Sequence, residues 1–414
     1  MKWIPLALIF LYAPFVFPDA QVLPPGVRAF VYRRAQAHIP SRFDAQGEVG
    51  SYAVQKALPM SLLRQIVVES VQLLDEIKKS DPKLESQMTL GEIDMKPEIN
   101  VEADGIALAW GLFPRFMMVG SVPLMRARVG INGGFQTSDS IQRTAQALRN
   151  MSATAQGAER DKLSVLAQFL GGVGTLRGEH LQHLLVNYYG YKPIGEWSAS
   201  GIGDAQLYGQ YLLHDNIRLK NAMKLGADLP TGRANDPDNI VDVPFGKGYY
   251  GTFMESMNDL YVFGNDSVIL FGNVKFTHNW PTTQTMRLSP NPDMPLTSEK
   301  DNVRIQPGSS WTYTAGAEAR LFWDIRAFGN YYWYNKKSDT MTGSRQDYDY
   351  GILSTGTDSH SQTSEVGAFF QTTDLYLQNR FPVPFKIKGS YSQTVAGANT
   401  EMIDMTYLEF QLYF

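Results

Sequence analysis

The chain has 414 residues, enough to bury a large core, and its 37 basic and 41 acidic residues leave a formal charge of −4. That near-neutral balance provides no electrostatic footprint for nucleic acid. The complete lack of cysteine excludes disulfides, thiolate metal sites and cysteine nucleophiles.

Residues 1–20, MKWIPLALIFLYAPFVFPDA, begin with a single basic residue, Lys2. An apolar stretch from Trp3 to Phe17 and a small residue, Ala20, follow. This is the layout of a secretory signal peptide, so residues 21–414 are expected to be exported. No later apolar run approaches the length of a membrane helix. After a first strand at Val27–Ala35, the stretch over residues 59–79 has helical spacing: Leu62, Leu63, Ile66, Val67, Val71, Leu74 and Ile77 recur at intervals of three and four.

From Ile93 the pattern changes to period two. Strands are expected at Ile93–Trp110, Arg115–Ile131, Gly201–Leu213, Ile217–Pro230, Gly248–Phe263 and Ser267–Pro281. They continue at Ser309–Leu321, Ile325–Asn335, Thr363–Asn379, Phe385–Ala396 and Met402–Phe414. Residues 132–200 interrupt them with a long insert of helical spacing, in which Leu163, Leu166, Ala167 and Leu170 share a face. The total is twelve strands. Short turns follow even-numbered strands, and long polar or helical segments follow most odd-numbered ones. That rhythm, with an even count, is the signature of a bacterial outer-membrane barrel with short periplasmic turns and longer outer loops.

The faces agree. Leu408, Phe410, Leu412 and Phe414 oppose Tyr407, Glu409 and Gln411; Leu219, Met223 and Leu225 oppose Arg218, Lys220 and Lys224. A closed barrel lets the apolar last strand pair with the first, leaving no open edge. Because a Lys or Arg facing mid-bilayer lipid costs about 2–4 kcal/mol, the charged faces must point inward. Arg218, Lys220, Lys224, Glu318, Arg320, Arg326, Lys386, Lys388 and Glu409 are therefore the candidate lumen residues. Their sum suggests a net basic interior, with Glu318, Arg320 and Arg326 close enough to cluster. The first three strands and Gly248–Phe263 fit the pattern less well, and EADGIAL reads as changing phase at a bulge near Gly105. The aromatic run Tyr331–Tyr334 and the pair Tyr249, Tyr250 mark an interfacial girdle.

ALAWGLFPRFMMVGSVPLM and GIGDAQLYGQYLL…LKNAMKLGADLPTG resemble the outer-membrane proteins of meta-pathway phenol degradation and the wider group of hydrophobe-transporting barrels that includes the long-chain fatty-acid transporters. The matching motifs are Gly201, Gly203 and Asp204 opening one strand and Leu229 to Gly232 closing the next; both mark strand ends. The resemblance covers about a third of the chain, and the insert and the helix near residues 60–78 depart from it. It implies a channel or transporter for small hydrophobic or aromatic molecules.

The remaining polar motifs form no reactive constellation. His278 in KFTHNW sits on a strand but has no serine nucleophile near it. Glu179, His180 and His183 lack the order and the third ligand of a metal site. The Gly-x-Gly of GIGD opens a strand, whereas a phosphate loop precedes a helix. The expectation is an all-β, closed antiparallel transmembrane barrel of about twelve strands with helical insertions in long loops. It has no catalytic residue and no cofactor; its partners are outer-membrane lipid, the barrel-assembly machinery (through the strand ending at Phe414) and an unidentified small molecule. Two alternatives are a surface-interaction barrel whose insert binds a partner, and a general anion-favouring porin.

Overall fold

The computed structural model describes residues 20–59, 74–75, 89–175, 177–289, 296–322 and 324–414. The expected signal peptide lies outside them except for Ala20, and the helix expected over 59–79 does so except for Pro59 and the helical residues Leu74 and Asp75. The described chain divides into two units, residues 20–51, 99–129 and 196–414, and residues 52–98 and 130–195.

The first unit is a closed antiparallel barrel. Its strands are β1 (Arg28–Phe43), β2 (Thr89–Phe113, in this unit from Ile99), β3 (Phe116–Thr137, in this unit to Val129), β4 (Ala205–Asp215), β5 (Leu219–Leu229) and β6 (Gly251–Tyr261). The circuit continues with β7 (Val268–Asn279), β8 (Ser310–Phe322), β9 (Ile325–Lys336), β10 (Ser359–Gln371), β11 (Phe385–Ala398) and β12 (Thr400–Tyr413). Each pairs with its neighbours around the circuit, and β1 closes it. On one side β1 runs from Ala29 opposite Tyr413 to Phe43 opposite Thr400. On the other it pairs with β2 from Arg28 opposite Trp110 to Ile39 opposite Ile99. Closure removes the free edge that a lipid environment forbids, because no water is there to bond an unpaired N–H or C=O. The expected count of twelve and the turn rhythm are both present.

Most of the outer wall is apolar. Leu408, Phe410 and Phe414 on or beside β12, Leu225 on β5, Leu270 on β7 and Ile387 on β11 are exposed. Aromatic residues ring both ends. At the long-loop end Trp311 stacks on Tyr313 and packs on Phe276, and Tyr331 meets Trp333 at 4.5 Å. At the short-turn end Phe113 stacks on Phe116, and Phe385 packs on Phe370, Phe381 and Phe410. The run Tyr331–Tyr334 alternates, so only Tyr331 and Trp333 belong to this girdle; Tyr332 and Tyr334 point inward. His278 also lies outward, edge-on to Trp280. Such a wall spans a membrane, as the strand length of at least 11 residues around the circuit allows.

Strands β1 to β3 invert the expected polarity. Apart from Arg33 of β1 and Ser121 of β3, the buried inward side chains are apolar, among them Val31, Ala35, Ile39, Val101, Ala107, Met117, Val119 and Ala127. Their outward faces carry ion pairs instead: Arg34 with Glu102 at 3.3 Å, Arg126 with Asp104 at 2.5 Å, and Tyr32 donating to Asp104 at 2.7 Å. The alternation is unbroken through Gly105, so no bulge forms there. Mutual pairing offsets the cost of these charges, and the apolar belt on β2 narrows to Ile106, Leu108 and Trp110.

Two further corrections concern connections. β10 ends at Gln371 rather than Asn379, and a short helix, Thr373–Leu377, turns the chain toward β11. The segments read as polar loops are folded: Thr282–Arg287, Lys300–Gln306 and Thr340–Thr342 form a three-stranded sheet over Leu288, Val303, Ile305, Met341 and Tyr350. Arg287 and Lys300 both bind Asp238 of the preceding loop, at 2.7 and 2.6 Å, and the Tyr350 hydroxyl donates to Asp301.

The second unit contains two packed helices, α1 (Asp139–Thr154) and α2 (Gly157–Val173). Ser138 caps α1 by accepting from the Ser140 N–H at 3.2 Å. Ile141 and Ala145 of α1 and Leu166, Ala167 and Leu170 of α2 are buried; the last three belong to the face that the spacing predicted, and its fourth member, Leu163, is half-buried. The described residues include no helix long and apolar enough to cross a membrane, which says nothing of crossing by strands.

Two predictions follow from the wall and the loops. Leu408→Arg should lower stability by about 2–4 kcal/mol in urea unfolding from lipid vesicles, and a loss below 0.5 kcal/mol would show that Leu408 does not face hydrocarbon. In the loops, the Tyr350 hydrogen bond holds the Asp301 carboxyl below the usual range. For Asp238, burial acts upward but is outweighed by the bonds from Lys300 and Arg287. Groups depressed in the folded chain stabilise it above the ordinary carboxylate pKa of about 3.9 and lose that effect as the pH falls from there through the lower folded-state value. Amide protection of the loop sheet should therefore drop as the pH falls below about 4, and Asp238→Asn should lower it already at neutral pH; unchanged protection in both would refute the pinning role.

Candidate functional site

The inner wall encloses a cavity of about 150 Å³. Its lining comes from β1 and from every strand from β4 to β12, and β2 and β3 contribute none of it. The division follows from the inverted polarity: the apolar inner faces of β1 to β3 pack against chain rather than solvent.

Part of that packing is the segment before β1. Leu23 joins an apolar cluster with Val31, Ala107, Met117, Tyr208 and Phe253, and Val22 packs on Leu212, Ala222 and Met257. These are inward residues of the barrel wall, so residues 20–25 run inside the lumen. Polar bonds fix them there. The Ala20 N–H donates to Asp259 Oδ2 at 2.8 Å, Gln210 Nε2 donates to the Gln21 carbonyl at 2.8 Å, and Gln21 Nε2 donates to the Tyr261 hydroxyl at 3.2 Å. Gly111 permits the approach: a Cβ there would stand 2.0 Å from the Pro24 carbonyl oxygen.

The charged residues of the polar sector occur in pairs. Arg33 Nε donates to Glu409 Oε2 at 2.7 Å, and both side chains are buried. Lys224 meets Glu255 at 3.4 Å, Lys247 meets Asp228 at 3.1 Å, and Lys388 meets Glu365 at 3.4 Å. Glu365 also accepts from Asn330 Nδ2 at 2.8 Å and from the Tyr332 hydroxyl at 2.5 Å. In so narrow a space each ion loses much of its hydration, so a carboxylate is stable there only beside a cation.

Of the nine residues expected in the lumen, Lys388 and Glu409 line the cavity, and Lys224 is buried behind it against Glu255. Lys386 lies 4.1 Å over the Phe369 ring, and Lys220 lies 5.2 Å over Tyr261. Glu318, Arg320 and Arg326 do come together, Glu318 bonding Arg326 at 2.7 Å, but at the short-turn mouth, where both arginines bind Asp266 of the adjacent turn. Arg218 is exposed at the turn before β5. The expected net basic lining is corrected: Arg33, Lys247, Lys275 and Lys388 face Asp228, Glu255, Glu365 and Glu409, four against four. Sequence reasoning missed Arg33 because β1 reads as poorly alternating, and Lys247 because it belongs to a loop. Glu179 and the two nearby histidines are exposed, and His180 Nδ1 accepts from the Arg177 N–H at 3.0 Å as a helix cap.

No protein-family model matches the chain, and no curated protein matches it. Among solved structures it is similar to an outer-membrane channel from Pseudomonas putida F1, at 12% identity over 96% of this chain and 98% of that one, with a TM-score of 0.51. Weaker likenesses include the Ralstonia pickettii toluene transporter TbuX (10% identity, 95% and 90% covered, TM-score 0.35). The Pseudomonas putida toluene transporter TodX is a further one (8% identity, 94% and 89% covered, TM-score 0.33). At this level of identity the likeness to the Pseudomonas putida F1 channel shows the fold. The chain is a β-barrel of the bacterial outer membrane.

Two outcomes test the site. Arg33→Met leaves Glu409 buried without its cation and should cost about 3 kcal/mol in urea unfolding, most of which Arg33→Met with Glu409→Leu should restore; a neutral single variant would mean that water already solvates Glu409. Gly111→Val should displace residues 20–25 and raise the single-channel conductance, and an unaltered conductance would show that the segment does not limit the lumen.

Proposed function

We propose that the barrel is a passive channel for small molecules of about single-ring size that carry a hydrogen-bonding group, aromatic ones above all. The observation that carries this reading is the composition of the cavity wall. An apolar void of roughly 150 Å³ takes up benzene and stays dry. This cavity has that volume and offers ring faces in Tyr332, Tyr334, Tyr407 and Phe271. It also presents Asn330 Oδ1, Thr363 Oγ1 and Thr394 Oγ1, which have no hydrogen-bond partner among the described residues. A solute that stacks on the rings and bonds those groups replaces the water they would otherwise hold; a pure hydrocarbon leaves them unpaired, at a cost of about 1–3 kcal/mol each. A wide anion-favouring porin fits less well, because every carboxylate of the lining is already neutralised by a cation. We also infer that the exposed side chains of β12, ending at Phe414, present the barrel to its assembly machinery; Phe414→Ser should slow folding into the membrane without altering the folded channel.

The channel reading is tested in a planar bilayer. Small conductance steps that millimolar catechol reduces, and that sucrose leaves unchanged, are expected. Large ohmic steps insensitive to catechol would overturn the reading.

A further inference from the structure

Of the four cations that line the cavity, Arg33, Lys247 and Lys388 are in ion pairs and Lys275 is not. Glu409 is taken by Arg33, Glu255 by Lys224, Asp228 by Lys247 and Glu365 by Lys388. Lys275 lines the same cavity and has no carboxylate within 4.0 Å among the described residues; its Nζ rests 4.0 Å from the centre of the Phe253 ring. Phe253 is itself held by the cluster around Leu23, so the ammonium has a fixed apolar floor. An ammonium over a ring face keeps its open side for an anion, because the ring supplies attraction without neutralising the charge.

The strand register builds a receptor around that open side. Lys275 of β7 stands opposite Thr312 of β8, which stands opposite Tyr334 of β9. One row along, Asn273, Thr314 and Tyr332 repeat the arrangement, and Thr363 of β10 faces Tyr332. All of these residues line the cavity. The inner wall therefore offers a cation, then hydroxyls, then two tyrosine rings, in rows of adjacent strands a little under 5 Å apart. We infer that Lys275 is the anchor of a binding station for single-ring aromatic monocarboxylates, with the carboxylate on Lys275 and the Thr312 hydroxyl and the ring against Tyr334 and Tyr332. One surplus charge matches one carboxylate; a dicarboxylate would bring a second charge with no free cation to meet it. This inference rests on the channel reading for its transport meaning, but the station itself is a statement about binding.

The test is calorimetric titration of the purified, detergent-solubilised full chain with sodium benzoate and, separately, with benzyl alcohol. Benzoate should bind at least tenfold more tightly than the uncharged alcohol. Lys275→Gln should weaken benzoate at least tenfold, whereas Lys275→Arg should hold it within about threefold. Heat-modifiable migration confirms that each variant is folded, and the Arg variant guards against a purely structural effect. Equal affinity of Lys275→Gln and the unsubstituted chain for benzoate, equal affinity for benzoate and benzyl alcohol, or no binding of benzoate at all would overturn the station. The two readings fail separately. A barrel whose current responds to catechol but whose benzoate affinity ignores Lys275 loses the station and keeps the channel; one that binds benzoate through Lys275 yet conducts nothing keeps the station and loses the channel.

Discussion

Closure of the sheet is the constraint from which the rest follows. A wall facing hydrocarbon can leave no backbone N–H or C=O unpaired, and β1 meets that condition by pairing along its length with β2 on one side and β12 on the other. Twelve strands closed this way enclose a narrow interior. Narrowness then governs the side chains. An inward charge cannot keep a full hydration shell, so it must have a partner on an adjoining strand or be held over a ring, as Lys275, Lys386 and Lys388 are over Phe253, Phe369 and Phe328.

The fold was legible wherever the two faces of a strand meet two different media. On β5, β8, β11 and β12 one face meets lipid and the other the polar cavity, so period-two alternation of Leu225 against Lys224, or Leu408 against Glu409, stands out. It was illegible on β1 to β3, because their inner residues, such as Ala35, Val101 and Ala127, face packed chain instead of water, and their outer residues pair as ions. The apparent phase change at Gly105 is a consequence: Asp104 and Glu102 are outward and charged, which a lipid-facing rule misreads as inward.

The site was legible in kind but not in pairing. Period two shows that Lys388 and Glu409 point inward, yet the partner of Glu409 is Arg33, 376 positions away, and no local pattern connects them. The same limit hid the loop sheet. Its strands Thr282–Arg287 and Thr340–Thr342 belong to different connections and have short, polar sequences, so their order comes from Leu288, Val303 and Met341 meeting beneath them. Charge sums mislead for a related reason. The nine residues singled out were mostly basic because Glu255 stood on a strand that alternates poorly and Glu365 on one whose faces were not read.

The lumen is divided in two by these same facts. One sector, lined by β1 to β3 together with Tyr208, Leu212, Ala222, Phe253 and Met257 of β4 to β6, is apolar and accepts the protein's own Val22 and Leu23; the other, from β4 round to β12 and closed by Arg33 of β1, is polar and encloses the cavity. Phe253 lies on the boundary, with Leu23 in its cluster and the Lys275 ammonium over its ring. A solute reaching the cavity thus meets a floor made by the protein's own segment and walls whose charges are all but one compensated. Selectivity in such a lumen comes less from net charge than from which groups are left unpaired. Hydroxyls and amide oxygens demand a hydrogen-bonding solute, and the single uncompensated ammonium decides whether an anionic one has the advantage.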